Sequence, residues 1–325
     1  MECGYTSLEN FELISCDTLT HLPLDFFPHL EHLTIESCPN LLSFSSDGLP
    51  PTLKNLSVRD CEKLVVPLSE EMKRCYTSLE RLMLIRCDRL THLPLDFFPK
   101  LESLFIDCCK NFETLSIADR RGLQILTSLK SVRIMYCRSM VSFPQGGLLA
   151  PNLWGFELQS CLKLKILPEQ MQTVFPSLES LALHDCPEIE SFPDEGLPSN
   201  LRSLRISNCK KLVDRRREWG LQRLPSLRRF VLRDDEDVGD SFPEEGLLPS
   251  TLTTLWIENL SNLKSLSKRG FQFLRSLTSL LIWGCPQLRS LPEEGFLASL
   301  EFLSIWCCLN SKPYPKRDFL TPSLS

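Results

Sequence analysis

Residues 77–109 read TSLERLMLIRCDRLTHLPLDFFPKLESLFIDCC. They hold Leu79, Leu82, Leu84, Cys87, Leu90, Leu93 and Pro94 in the order L-x-x-L-x-L-x-x-C-x-x-L-x-x-L-P. The frame then restarts at Leu101, Leu104, Ile106 and Cys109. Apolar residues at i, i+3 and i+5 followed by Cys at i+8 fit neither an amphipathic helix nor a plain alternating strand. They fit a unit made of one short strand and a returning loop. Residues 20–28 (THLPLDFFP) recur letter for letter at 91–99, an offset of 71 residues.

The same frame runs through the chain. Counted from the first leucine of each unit it begins at Leu8, Leu30, Leu53, Leu79, Leu101, Leu129 and Leu153. It continues at Leu178, Leu201, Leu227, Leu252, Leu277 and Leu300. These thirteen units are spaced by 22 to 28 residues, the range of leucine-rich repeats. The expected fold is therefore an α/β leucine-rich-repeat solenoid, a curved right-handed superhelix. A parallel β-sheet should line its concave face, and irregular or short helical turns its convex face. The solenoid is assigned to residues 1–310 and a non-repeat tail to 311–325.

The returning segments carry too much Pro and Gly for long helices. One type is short, as in DEGLPSNL at 194–201, EEGLLPSTL at 244–252 and EEGFLASL at 293–300. The other is longer, as in SEEMKRCYTSL at 69–79 and RRREWGLQRLPSL at 215–227, with room for about one helical turn. From the sixth repeat onward the two types alternate. The 71-residue duplication spans three repeats and accounts for the earlier break in that alternation.

The formal charge of −5, from 36 basic and 41 acidic residues, gives no general attraction to nucleic acid or anionic membrane. The start, MECGYTSLENFEL, lacks a basic region followed by an apolar run, so no signal peptide is read. No stretch reaches the length of a membrane span. The chain is expected to be soluble and cytoplasmic, with the nucleus as an alternative. Neither end supplies the polar cap with which solenoids finish, so the chain reads as a piece of something longer.

Eleven of the 15 cysteines (Cys16, Cys38, Cys61, Cys87, Cys109, Cys137, Cys161, Cys186, Cys209, Cys285 and Cys308) share one repeat position. In-register coils place them in a column with Cβ atoms roughly 4.8 Å apart. That exceeds the roughly 3.5–4.5 Å that a disulfide prefers. One ligand per coil along a straight column also makes no tetrahedral zinc site. Buried free thiols are expected, with no metal and no cofactor. Asp235 and Leu260 replace Cys in the tenth and eleventh repeats.

The wording of the repeats is more specific than the frame. Residues 178–212 (LESLALHDCPEIESFPDEGLPSNLRSLRISNCKKL) and 277–308 (LTSLLIWGCPQLRSLPEEGFLASLEFLSIWCC) carry the phrase I-x-x-C-x-x-L-x-S-L-P or close variants. With EWGLQRLPSL at 218–227, they resemble the repeat domain of plant nucleotide-binding leucine-rich-repeat disease-resistance receptors, best matching the coiled-coil class. The likeness covers roughly residues 6–308. It implies recognition of a pathogen effector or a modified host protein, and restraint of a nucleotide switch. No G-x-x-x-x-G-K-[ST] loop is present, so no ATPase or signalling activity is carried over. The basic, Trp-containing tail that often ends such domains is replaced by the sequence after Cys308.

Binding is expected in the variable letters between the inward leucines. Trp256, Trp283, Phe302 and Trp306 project from the last three strands and form the leading candidate patch for a protein partner. The competing reading is that Tyr314 and Phe319, or a missing domain, cover it. Arg81, Arg133, Arg205, Arg229 and Arg233 also project from strands, as an arginine column suited to an acidic partner. Its alternative is a solvated face offset by Glu12, Glu36, Asp107, Glu157 and Asp185. Lys210, Lys211, Arg215, Arg216 and Arg217 have the composition of a nuclear-import patch, but sit on a return where charges are usual. The acidic run 234–240 lacks the spacing of a calcium loop. The five histidines, His21, His29, His32, His92 and His184, show no metal-ligand spacing. No catalytic constellation is found, so no enzyme activity is expected. The second functional class is the substrate-recruiting repeat domain of a ubiquitin ligase, which would read C-x-x-[IL]-T-D after the strand where this chain has C-x-x-L-x-x-L-P.

Overall fold

The computed structural model describes residues 5, 7–44, 49–65, 76–117, 125–144, 148–236, 238–291 and 299–308. The tail assigned to 311–325, with Tyr314 and Phe319, lies outside these residues, as does the return at 69–75. Among the described residues every repeat contributes one five-residue strand. They are β1 (Asn10–Ile14), β2 (His32–Glu36), β3 (Asn55–Arg59), β4 (Arg81–Ile85), β5 (Ser103–Asp107), β6 (Ser131–Met135) and β7 (Gly155–Gln159). There follow β8 (Ser180–His184), β9 (Ser203–Ser207), β10 (Arg229–Arg233), β11 (Thr254–Glu258), β12 (Ser279–Trp283) and β13 (Phe302–Trp306). The thirteen lie in chain order in one parallel sheet, each in register with its neighbours.

The repeat frame dictates this sheet. The residues at i+3 and i+5 alternate with outward letters, so both point to one side. Leu82 and Leu84, like Leu204 and Ile206, are buried. The leucines at i+11, such as Leu90 and Leu164, close the core from the return side. A coil alone exposes all of these, and stacking removes about 1.5–3 kcal/mol of exposure for each large side chain. The core is therefore one continuous apolar column.

Each strand ends in the same bend. The residue before the Cys position has a left-handed φ in all thirteen repeats, and only Gly284 is a glycine. The others include Ser15, Arg86, Tyr136 and Asn208, at φ 50–55°. That conformation costs a non-glycine residue about 1–2 kcal/mol. It is held by hydrogen bonding, since the bend N–H continues the ladder to the next coil. Tyr136 N donates to Gln159 O at 2.7 Å and Asn208 N to Arg233 O at 3.1 Å. At Gly284 a β-carbon would meet Asn259 Oδ1, the end of a side chain that also donates through Nδ2 to Asp234.

The cysteines follow from the bend. Cys38 Sγ donates to Glu36 O at 3.4 Å, and Cys186 Sγ to His184 O at 3.3 Å. Glu36 O also accepts from Ser15 N, so both of its lone pairs are used. All the described cysteines are free, and nine of the eleven at the repeat position are buried. Cys16 and Cys308, in the two end coils, are half-buried. Burial pushes the Cys61 thiol up to about 11 and that of Cys285 to about 12.

Among the described residues the α-helical segments of the returns are four or five residues long. α1 (Met171–Val174), α2 (Lys210–Asp214) and α3 (Lys268–Phe271) lie in alternate returns of the second half. In the longest, Trp219 of the EWGLQRLPSL phrase is a core plug. Its Nε1 donates to Leu212 O at 3.0 Å and its ring lies between Phe192 and Phe230. The basic run around it is divided. Arg216 Nε pairs with Glu244 at 2.7 Å and Lys211 pairs with Glu188 at 2.7 Å. The sequence frame did not anticipate a second set of parallel ladders behind the sheet. His21–Leu22 pairs with Ser43–Phe44, His92–Pro94 with Thr114–Ser116, and Ser241–Phe242 with Ser265–Leu266.

Candidate binding face

The solvent side of the sheet, the concave side of such a solenoid, presents three columns of outward residues. In β10 these are Arg229 in the leading column, Val231 in the middle one and Arg233 in the trailing one. Register assigns every outward residue to one of the three.

The five arginines do not form one column, which corrects the sequence expectation. Arg81 and Arg229 are in the leading column, Arg133 and Arg205 in the middle one, and Arg233 in the trailing one. Alternation sends them all outward but does not say which outward position each takes. Arg81 on β4 stands apart. Arg133 faces Glu157 across β6 and β7, Nε to Oε2 3.5 Å, so for that residue the offset reading holds. The remaining three come together on β9 and β10.

The aromatic group is also redistributed. Trp283 and Trp306 are register partners in the trailing column, whereas Phe302 lies in the leading column opposite Ser279. All three are exposed, Trp306 by 68%. Trp256 is in the middle column, opposite Val231 on one side and Leu281 on the other. Its ring carries the Arg233 guanidinium at 4.1 Å and that of Arg229 at 5.9 Å. Trp256 therefore belongs with the arginines rather than with the other indoles.

The residue that joins this group is Val231. It points outward, yet it is only 1% exposed. Arg229 and Arg233 flank it along β10, while Arg205 and Trp256 flank it across the sheet. Three long cationic side chains and an indole surround one small apolar residue, and part of the guanidinium groups of Arg229 and Arg233 is buried with it. Arg233 Nε meets Glu258 Oε2 at 2.9 Å. Burial raises the Glu258 carboxyl above its usual range, partly countered by Arg233. Burial also lowers the Arg229 guanidinium, and the like charges of Arg205 and Arg233 add to that. His184, in the trailing column of β8, is held below its usual value mainly by burial. In the acidic run that follows β10, Asp234 accepts from Ser207 and Asn259, and Asp240 pairs with Lys264 at 3.0 Å. Among the described residues no group of His, Cys, Asp and Glu is arranged to hold a metal ion.

A parallel sheet of this repeat length, with inward leucines and a bend thiol in most coils, defines a leucine-rich-repeat solenoid. No family model matches the chain. It is 41% identical over 287 residues to a "putative disease resistance protein" of Arabidopsis thaliana, covering 87% of this chain and 20% of the relative. It is 28% identical over 193 residues to the Arabidopsis disease resistance protein RPP5, covering 58% and 12%. The TMV resistance protein N of Nicotiana glutinosa is 27% identical over 232 residues, covering 63% and 19%. The chain thus spans about a fifth or less of the length of these relatives. Among solved structures, the leucine-rich repeat domain of the type III effector XopL overlays with a TM-score of 0.35 at 19% identity, covering 93% of this chain and 77% of that one. Among the described residues no helix is long and apolar enough to cross a membrane.

Proposed function

We propose that this solenoid is the recognition module of an intracellular plant immune receptor of the coiled-coil class, acting in the cytoplasm. It binds a protein, either a pathogen effector, a host protein or another domain of the same receptor, through its concave face and without catalysis. The observation that carries this reading is the 41% identity to a disease-resistance protein across 287 residues. The geometry supports it. The inward residues are spent on the core and the bend residues on the ladder, which leaves the three outward columns as the part free to vary. Curved repeat sheets serve as extended binding surfaces for this reason. Nucleic acid is a poor match for a face on which acidic residues are interspersed and the net charge is −5.

The test places a photoreactive phenylalanine analogue at Phe105 or Leu281 of the middle column, and at Val141 or Ile166, which are exposed on the return side. The chain is expressed in leaf cells and irradiated. Defined protein adducts from the sheet positions and none from the returns are expected. Adducts confined to the returns would place recognition elsewhere.

A further inference from the structure

The group around Val231 carries more positive charge than its surroundings offset. Arg233 has Glu258. Arg205 and Arg229 have no ion-pair partner among the described residues, and Arg229 Nε is buried without a hydrogen-bond acceptor. A buried donor left unmade costs about 1–3 kcal/mol, more when charged. A carboxylate that reaches the terminal Nη groups of Arg205 and Arg229 would supply the missing counter-charge, because a guanidinium presents parallel N–H groups that match its two oxygens. Trp256, held under Arg233 at 4.1 Å, adds a rigid apolar wall beside the charge.

Resting on the reading of this face as a recognition surface, we propose that Arg205, Arg229, Arg233 and Trp256 seat an acidic segment of the partner protein. One carboxylate lies between Arg205 and Arg229, and the chain next to it packs on Trp256. The size of the positive patch selects this occupant. Arg229 and Arg233 are four residues apart on one strand, roughly 13 Å, and Arg205 and Trp256 lie two strand spacings apart, roughly 10 Å. Beyond that span the middle column carries Glu157, and the bends beside the trailing column carry Asp185 and Asp234. A nucleic-acid backbone running along the columns would meet those carboxylates, whereas a short acidic segment would not. The three guanidinia are also pre-set by packing over Val231, so little side-chain freedom is lost on binding.

The test uses the full 325-residue chain and a fluorescein-labelled peptide of alternating Asp and Glu, followed by anisotropy. Its Asn and Gln counterpart, inorganic phosphate and single-stranded oligothymidylate are compared with it. The acidic peptide should bind at least about tenfold more tightly than the amide peptide, which corresponds to 1.4 kcal/mol. The double variant Arg205→Gln/Arg229→Gln should lose that preference. The double variant Arg81→Gln/Arg133→Gln, outside the group, should keep it within about twofold, as expected of rim charges. Equal binding of the two peptides, an unchanged preference in Arg205→Gln/Arg229→Gln, or tighter binding of oligothymidylate would overturn the proposal. If photocrosslinking at Phe105 and Leu281 survives that outcome, the recognition reading stands and only the acidic seat is lost.

Discussion

The 71-residue duplication puts nearly the same words in two settings. Tyr5, Ser7, Leu8 and Glu9 correspond to Tyr76, Ser78, Leu79 and Glu80, and THLPLDFFP follows in both copies. Local geometry is reproduced closely. Leu24–Phe26 and Leu95–Phe97 are both 3-10 turns with the same flanking φ and ψ to within about 20°. Tyr5 stacks on Phe27 and Tyr76 on Phe98, each pair at 5.5 Å. Burial is not reproduced. Tyr5 is 67% exposed and Tyr76 only 7%. Ile14 is 53% exposed and its counterpart Ile85 only 8%. Conformation is thus written within a coil, while burial comes from the neighbour stacked on it, as expected of a nearest-neighbour architecture.

Core truncation should separate the two copies most. Leu84→Ala should cost about 2–5 kcal/mol in urea unfolding, because a fully buried leucine leaves a cavity. Leu13→Ala, its half-buried counterpart, should cost roughly 1 kcal/mol. Equal losses would show that the first coil is covered as fully as the fourth.

The bend offers the next contrast. Gly284→Ala adds a side chain at φ 64° against Asn259 and should cost roughly 1–3 kcal/mol. The double variant Gly284→Ala/Asn259→Ala should recover the steric part. A neutral Gly284→Ala would mean that the ladder of bend side chains is looser than described.

The thiols give a pH dependence of known sign. Cys61 and Cys285 have folded values raised by burial, to about 11 and about 12, from an ordinary 9.0. Above pH 9 the unfolded chain releases these protons while the folded chain retains them, so stability falls as pH rises toward the folded values. Each such thiol should contribute a slope of about 1.4 kcal/mol per pH unit in that window. Cys61→Ala should flatten the alkaline limb, and an unchanged limb would assign the loss to other groups. The smallest effect is expected at Arg229. Arg229→Gln removes an under-compensated charge and should leave the unfolding midpoint unchanged or slightly higher. A clear drop would mean that the guanidinium is already satisfied.

The strands were legible because the inward positions repeat with little variation. Leu204 and Ile206, or Leu255 and Ile257, identify their faces without a structure. The left-handed bend was not legible, since Arg86 and Tyr136 carry no glycine signal and depend on a hydrogen bond from the next coil. The Val231 group was hidden for a related reason. The frame counted from Leu227 turns Val231 outward between Phe230 and Leu232, but only the register that sets Arg205 and Trp256 beside it shows why it is buried. Grouping aromatics by repeat number placed Trp256 with Trp283. Grouping them by column pairs it with the arginines.

Cys16 and Cys87 are counterparts in the two copies, and they test the stacking account most directly. Cys16 is half-buried in the first coil and Cys87 fully buried in the fourth. Native protein is treated with iodoacetamide, and the alkylated peptides are quantified by mass spectrometry before and after unfolding. Stacking predicts that Cys16 alkylates in the native state while Cys87 alkylates only once the chain unfolds. Alkylation of both at the same native rate, or recovery of Cys87 in a disulfide with Cys61 or Cys109, would contradict it.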